Sequence, residues 1–272
     1  MMLKQVSIAF FAAFALFISS CSMNNVEQDN SLKKYFDENK VEGSFALFDN
    51  GRGKFVIYNM KRDTTRMLPA STFKIVNALI ALQTGIVTND STIIKWDGIE
   101  RAIGNWNRDL SLADAFRYSS VPHFQELARR IGRDTMQKWV DTLKYGNMKL
   151  GPVIDSFWLD NSLKISPDEE LGLVKKLYFD QLPFRKGVQQ TVRDMMLQED
   201  NSNYKLSYKT GWGFNADNHG IGWVVGWIEE NQHPYFFVLN IESEDPKADI
   251  QAIRKRILTD ILTQSGFFAG KM

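Results

Sequence analysis

The chain has one cysteine, Cys21, and only three histidines among 272 residues. A lone cysteine closes no disulfide within the chain, and His123, His219 and His233 have no metal-ligand spacing. There is no His-Glu-x-x-His helix and no Gly-x-Ser-x-Gly elbow, so the common zinc-hydrolase and nucleophile-elbow patterns are absent. Spacing alone does not exclude a Ser-His-Asp triad, although each histidine reads more simply as a surface or hydrogen-bonding residue. The 33 basic and 32 acidic residues leave a net charge of +1, without the clustered basic excess of a nucleic-acid binder. There is no internal repeat and no low-complexity segment. Hydrophobic residues make up 44% and charged residues 24%, which is ordinary globular usage and excludes disordered and fibrous classes. The length suits one large domain or two intimately packed ones.

What is present begins with a leader. Lys4 is the only charge before an apolar run at 6–18, which ends in Ile18-Ser19-Ser20-Cys21. The run is too short for a comfortable membrane span and reads as a secretory signal over 1–21. Its end resembles a bacterial lipobox, which implies a lipid on Cys21, export to the periplasm and a membrane anchor. The plain alternative is an ordinary signal with a coincidental cysteine. Residues 22–30 are polar and read as a tether.

Residues 44–48 and 54–58 are strand-like and flank Asp49-Asn50-Gly51-Arg52-Gly53, which predicts a hairpin. From 67 to about 182 the pattern is mostly helical. Residues 71–84 are apolar nearly all round and end at Gly85, which predicts a buried helix. Pro122 opens a second helix that stops at Gly132. Residues 204–208, 221–228 and 235–241 read as successive antiparallel strands. Residues 247–263 carry Ile250, Ile253, Ile257, Leu258, Ile261 and Leu262 at a helical period. The expected fold is α+β: an antiparallel sheet with helices, built from 31–66 plus 188–272, and a mostly helical insertion at 67–187. A site should lie in the cleft between them.

Ser71 and Lys74 sit i and i+3 on one helix face, so the amine lies beside the hydroxyl. A serine needs a base, and a lysine serves only where burial yields neutral amine. Roughly one Ser-x-x-Lys is expected by chance in a chain of this length. Ser71 stands out because it opens the most buried helix. Lys209-Thr210-Gly211 closes a predicted strand and offers a positive charge, a hydroxyl and close backbone approach to an anion. Ser119-Ser120-Val121-Pro122 enters the second helix, where a serine can cap it and also aim a hydroxyl into a cleft. Arg254 lies on the apolar stripe of the last helix. It is either a snorkelling arginine, half of an internal salt bridge, or a bidentate carboxylate binder.

In this order the motifs resemble the penicillin-recognising serine enzymes. Pro69-Ala70-Ser71-Thr72-Phe73-Lys74, Ser119-Ser120-Val121, Tyr145-Gly146-Asn147 and Phe157-Trp158-Leu159 resemble the class D, oxacillinase-type, serine beta-lactamases. The resemblance implies a transpeptidase-like fold and hydrolysis of beta-lactam rings through an acyl-Ser71 intermediate, giving antibiotic resistance. It implies Ser119 as proton relay, the amides of Ser71 and Trp212 as oxyanion donors, and Lys209, Thr210, Gly211 and Arg254 as substrate-binding residues. It further implies that carbon dioxide carboxylates Lys74, supported by Phe73, Val121, Trp158 and Leu159, with no metal or organic cofactor. The expected partners are beta-lactams, with no nucleic acid, a membrane only through the lipid, and a monomeric or homodimeric state. A penicillin sensor and a cell-wall transpeptidase or carboxypeptidase are the alternatives. The short leader, in place of several membrane helices, speaks against the sensor.

Overall fold

The computed structural model describes residues 25–270. The leader and Cys21 lie outside the described residues. The strands are β1 (Val26–Gln28), β2 (Glu42–Asp49), β3 (Lys54–Tyr58), β4 (Ile93–Ile94), β5 (Leu110–Ser111), β6 (Leu197–Asp200), β7 (Lys205–Phe214), β8 (Gly220–Glu230) and β9 (His233–Ser243). The helices are α1 (Lys33–Glu38), α2 (Met60–Asp63), α3 (Lys74–Gln83), α4 (Leu112–Arg117), α5 (Val121–Ile131), α6 (Arg133–Leu143), α7 (Pro167–Tyr178), α8 (Lys186–Met196) and α9 (Ile250–Gln264).

Seven strands form one sheet in the order β1-β3-β2-β9-β8-β7-β6. The early hairpin joins the late strands where β2 pairs with β9. β8 shows why the sheet needs cover on both faces. Trp223, Val225 and Trp227 point into one apolar cluster while Val224 and Ile228 point into the other, as a period of two requires. On one face lie α1 and α9, with Ile250, Ile257, Leu258, Ile261 and Leu262 buried. On the other lies α7, against β2, β8 and β9, followed by the helical layer. The centre of that layer is α3, whose residues from Lys74 to Leu82 are all buried.

The structure corrects several expectations. The predicted tether includes β1, which pairs in parallel with β3, so the sheet is mixed at this edge. All three β1 residues are exposed, so backbone pairing and a surface ion pair between Glu27 and Lys54 hold it, and no hydrophobic pattern announces it. The boundary expected at 187/188 falls inside α8, whose inner face packs on α3 and α4. Lys209-Thr210-Gly211 lies within β7, not at its end. β8 pairs along the whole of β7, and this overrides the turn tendency of Gly211 and Gly213. The helix expected from Ser71 starts as a 3-10 turn, Ala70–Phe73, and becomes α-helical at Lys74.

Candidate active site

The 3-10 turn before α3 carries Ser71 at the foot of a cleft of about 890 Å³. Several bonds fix the turn. Ala70 N donates to the Trp158 carbonyl at 3.1 Å, and the Trp223 indole donates to the Leu68 carbonyl at 3.0 Å. Ala70 is held at φ 48°, a left-handed conformation that a residue with a Cβ adopts only under constraint.

Lys74 lies one helical step deeper, and its Nζ is 2.8 Å from Ser71 Oγ. It is 1% exposed, and burial pulls its pKa down from 10.5 to about 7. The amine is therefore substantially neutral near neutral pH and can accept a proton. Phe124 of α5 stands 5.4 Å from Nζ, ring centroid to nitrogen. Phe73 and Trp158 are also fully buried and stack at 5.7 Å. The indole Nε1 of Trp158 is buried and has no acceptor among the described residues. Val121 and Leu159 line the cleft instead.

The opposite wall is β7. β6 pairs with β7 only over Lys205–Ser207, which leaves the following stretch of its edge open toward the nucleophile turn. Gly211 is required there. A Cβ at this position would sit 2.9 Å from the Pro69 carbonyl oxygen and 3.2 Å from Thr72 Cγ2. Lys209 Nζ donates to Ser119 Oγ at 3.0 Å, which links the strand to the turn before α5. Burial, followed by the charges of Lys74 and Arg254, pushes the Lys209 pKa well below its usual value. Ser119 is itself left-handed, at φ 52°. Thr210 and Trp212 line the cleft, and Trp212 is half-exposed.

Arg254 of α9 reaches the same cleft and is 5% exposed. Its Nη1 donates to the Gly211 carbonyl, and its Nε has no acceptor. Burial lowers its pKa to about 10, so it remains charged at neutral pH. Among the described residues no carboxylate forms a salt bridge with it, which removes the internal-salt-bridge alternative. A buried guanidinium held by one neutral carbonyl, with Lys209 nearby, is the chemistry that could accept an anion at this end of the cleft.

Tyr145, Gly146 and Asn147 stand outside the cleft and brace it from behind. Asn147 exchanges hydrogen bonds with Lys164 at 2.9 Å and donates to the Ser162 carbonyl at 2.8 Å. This pins the loop that delivers Trp158. Gly146, at φ 52°, lies against the Lys164 carbonyl with no room for a Cβ. Tyr145 packs edge-on to Phe73 and donates to Glu170.

All three histidines make hydrogen bonds within the fold. His123 is paired with Ser120 at 2.7 Å, His219 with Glu242 at 2.9 Å and His233 with Asp49 at 3.1 Å. Sequence reasoning missed Phe124, Trp223 and Glu170. Phe124 carried a faint signal, three residues after Val121 on one helix face. The others gave none, because tertiary packing alone brings them to the site.

Comparison with known proteins agrees with this geometry. The penicillin binding protein transpeptidase domain family matches residues 25–263. Probable beta-lactamase YbxI of Bacillus subtilis is 39% identical over 264 residues, covering 96% of this chain and 95% of that protein. The crystal structure of FUS-1, a class D beta-lactamase from Fusobacterium nucleatum, superposes with a TM-score of 0.84 at 34% identity, covering 89% of this chain and all of that one. The C-terminal domain of the Bacillus licheniformis BlaR penicillin receptor superposes at 0.83, also at 34% identity, covering 89% of this chain and 97% of that one. The chain belongs to the penicillin-binding-protein transpeptidase family and, within it, to the class D beta-lactamases.

Proposed function

We propose that this protein hydrolyses the beta-lactam ring of penicillin-type antibiotics through an ester on Ser71, and so confers resistance. The observation that carries the reading is the 2.8 Å contact between Ser71 Oγ and a buried, largely neutral Lys74 amine, facing an anion receptor across one cleft. The drug's carboxylate would sit at Arg254 and Thr210. Ser71 Oγ loses its proton to the base at Lys74 and bonds to the lactam carbonyl carbon. The amides of Ser71 and Trp212 are the proposed donors to the oxyanion. The carbon–nitrogen bond then breaks, and Ser119, held by Lys209, relays to the leaving nitrogen the proton that Lys74 took from Ser71, which frees the base again. A water activated at Lys74 attacks the ester and frees Ser71.

Carboxylation of Lys74 by carbon dioxide would supply an anionic base for both stages. The residues fit that group. A neutral buried amine is the form that reacts with carbon dioxide, and the Trp158 indole N–H is a buried donor without an acceptor on a ring stacked over Phe73. We further propose export and lipid attachment at Cys21. Among the described residues no helix is long and apolar enough to cross a membrane. Fractionation of a Cys21→Ala chain would test the anchor.

The likeness to the BlaR domain favours a second reading, a sensor that acylates and stays acylated. Stopped-flow mixing with a chromogenic cephalosporin separates the two. Steady turnover after acylation supports the hydrolase, and a single burst supports the sensor. Peptide mapping of the trapped ester should place it on Ser71. An adduct on Ser31 or Ser202, which also stand three residues before a lysine (Lys34 and Lys205), would overturn the assignment.

A further inference from the structure

Behind the nucleophile turn, the first turns of α7 bring up a carboxyl group. Glu170 is fully buried. Its Oε1 lies 2.6 Å from Thr72 Oγ1 and 2.8 Å from the Tyr145 hydroxyl, while Oε2 has no partner among the described residues. Thr72 Oγ1 also lies 2.9 Å from the Pro69 carbonyl oxygen. Pro69 and Thr72 bracket the strained Ala70 and Ser71 itself.

The protons can be counted. The Pro69 carbonyl only accepts, so its contact uses the one hydroxyl hydrogen of Thr72. The 2.6 Å contact between Thr72 and Glu170 then needs a hydrogen from Glu170, and only the neutral acid has one. With its proton on Oε1, Glu170 donates to Thr72, Thr72 donates to Pro69, and Tyr145 donates to Oε1. A single carbonyl oxygen is left unbonded. With Glu170 ionised, the Thr72 hydroxyl hydrogen turns to the carboxylate, and from Thr72 the Pro69 carbonyl keeps only the backbone N–H, at 3.2 Å. A buried anion also remains with one bare oxygen, which is the costlier arrangement.

The surrounding charges point the same way. The ionisable groups that bear on Glu170 are Tyr145 and Glu169, and neither is a cation. Arg66 is spent on Glu169, which it helps to hold ionised. Burial raises the Glu170 pKa from 4.5 to about 7, outweighing the hydrogen bonds of Thr72 and Tyr145 that pull it down, with a smaller push from Glu169.

We propose that Glu170 is a positioning residue that works as a neutral carboxylic acid, donating a hydrogen bond to Thr72 and so holding the turn that presents Ser71. The inference rests on Ser71 being the nucleophile. Ionisation of Glu170 turns the Thr72 hydroxyl away from Pro69 and loosens that turn, where Pro69 and Thr72 then keep only the backbone bond from Thr72 N to the Pro69 carbonyl at 3.2 Å.

Glu170→Gln keeps a donor and an acceptor and cannot ionise. Single-turnover acylation by a penicillin should be followed from about pH 5 to about pH 9 for both proteins. The wild-type rate should fall on the alkaline side, whereas Glu170→Gln should match it at low pH and lack that limb. Glu170→Leu, if it folds, should acylate about ten-fold or more slowly at every pH, the loss of one hydrogen bond to the turn. Infrared difference spectra of the free proteins should show a buried protonated-carboxyl band that disappears in Glu170→Gln. That band does not depend on catalysis, so it survives if Ser71 is not the nucleophile. Superposable wild-type and Glu170→Gln pH profiles, or the absence of the band, would overturn the proposal.

Discussion

Burial acts on Lys74 and on Trp158 in different ways. It loosens the amine's hold on its proton, and it leaves the indole N–H with no acceptor among the described residues. The proposed carboxylation answers both, since it needs a neutral amine and brings an acceptor oxygen. Trp158→Phe separates the donor from the packing, because the ring stack on Phe73 is kept. The expected outcome is deacylation slowed about ten-fold or more, the scale of one lost hydrogen bond to a charged group. Acyl-enzyme should accumulate, and added bicarbonate should restore part of the rate. Wild-type deacylation in a folded Trp158→Phe, indifferent to bicarbonate, would count against a role for the N–H. At this scale the sequence was informative where chemistry is local. Ser71 and Lys74 meet because residues three apart share a helix face, and that is legible in any sequence. Glu170 meets Thr72 across 98 positions, and a glutamate in the first turn of a capped helix reads as an ordinary dipole-compensating charge.

Among the elements, legibility followed burial. The β2–β3 hairpin announced itself through two strand-like runs and a glycine-rich turn, and Asp49 does face Lys54 at its end. The edge strands β1 and β6 are exposed along their whole length and have no apolar period to read. The brace around Tyr145-Gly146-Asn147 was visible only as a motif, because its partners, Ser162 and Lys164, belong to a loop. That brace makes a stability prediction. Gly146→Ala imposes both a left-handed φ and an overlap with the Lys164 carbonyl, and should cost about 2–4 kcal/mol in urea denaturation. Gly172→Ala, on α7 with open space where its Cβ would go, should instead stabilise by roughly 0.5–1 kcal/mol. Equal effects at the two positions would show that the Gly146 turn is not under the constraint described.

For the whole molecule, the buried titratable groups set a pH dependence with two opposing slopes. Asp63 and Glu170 have pKa values raised to about 7, chiefly by burial. Between about pH 4 and about pH 7 the native state therefore holds protons that the unfolded chain has released, and stability falls as pH rises. Lys74 is depressed from 10.5 to about 7. Above that value the unfolded chain holds the extra proton, and stability recovers as pH rises toward the free lysine value. With carbon dioxide excluded, the contribution of these groups is lowest near neutral pH. Denaturation midpoints measured across pH should show this trough, and Asp63→Asn or Glu170→Gln should flatten its acidic side. Variants whose profiles track the wild type in parallel would contradict the assignment.

The seam between β2 and β9 has a consequence in time. Glu42 lies opposite Glu242 and Asp49 opposite Tyr235, so the middle of the sheet is sewn from the two far ends of the chain. The early hairpin has one edge with no partner until residues 233–243 have been synthesised. Such long-range pairing makes for slow folding, and the waiting edge of β2 is largely apolar and unprotected. A nascent or truncated chain that stops short of β9 leaves that edge bare, a template for pairing with other chains. The last strand thus acts on the early hairpin as a shield against aggregation, apart from anything the site does.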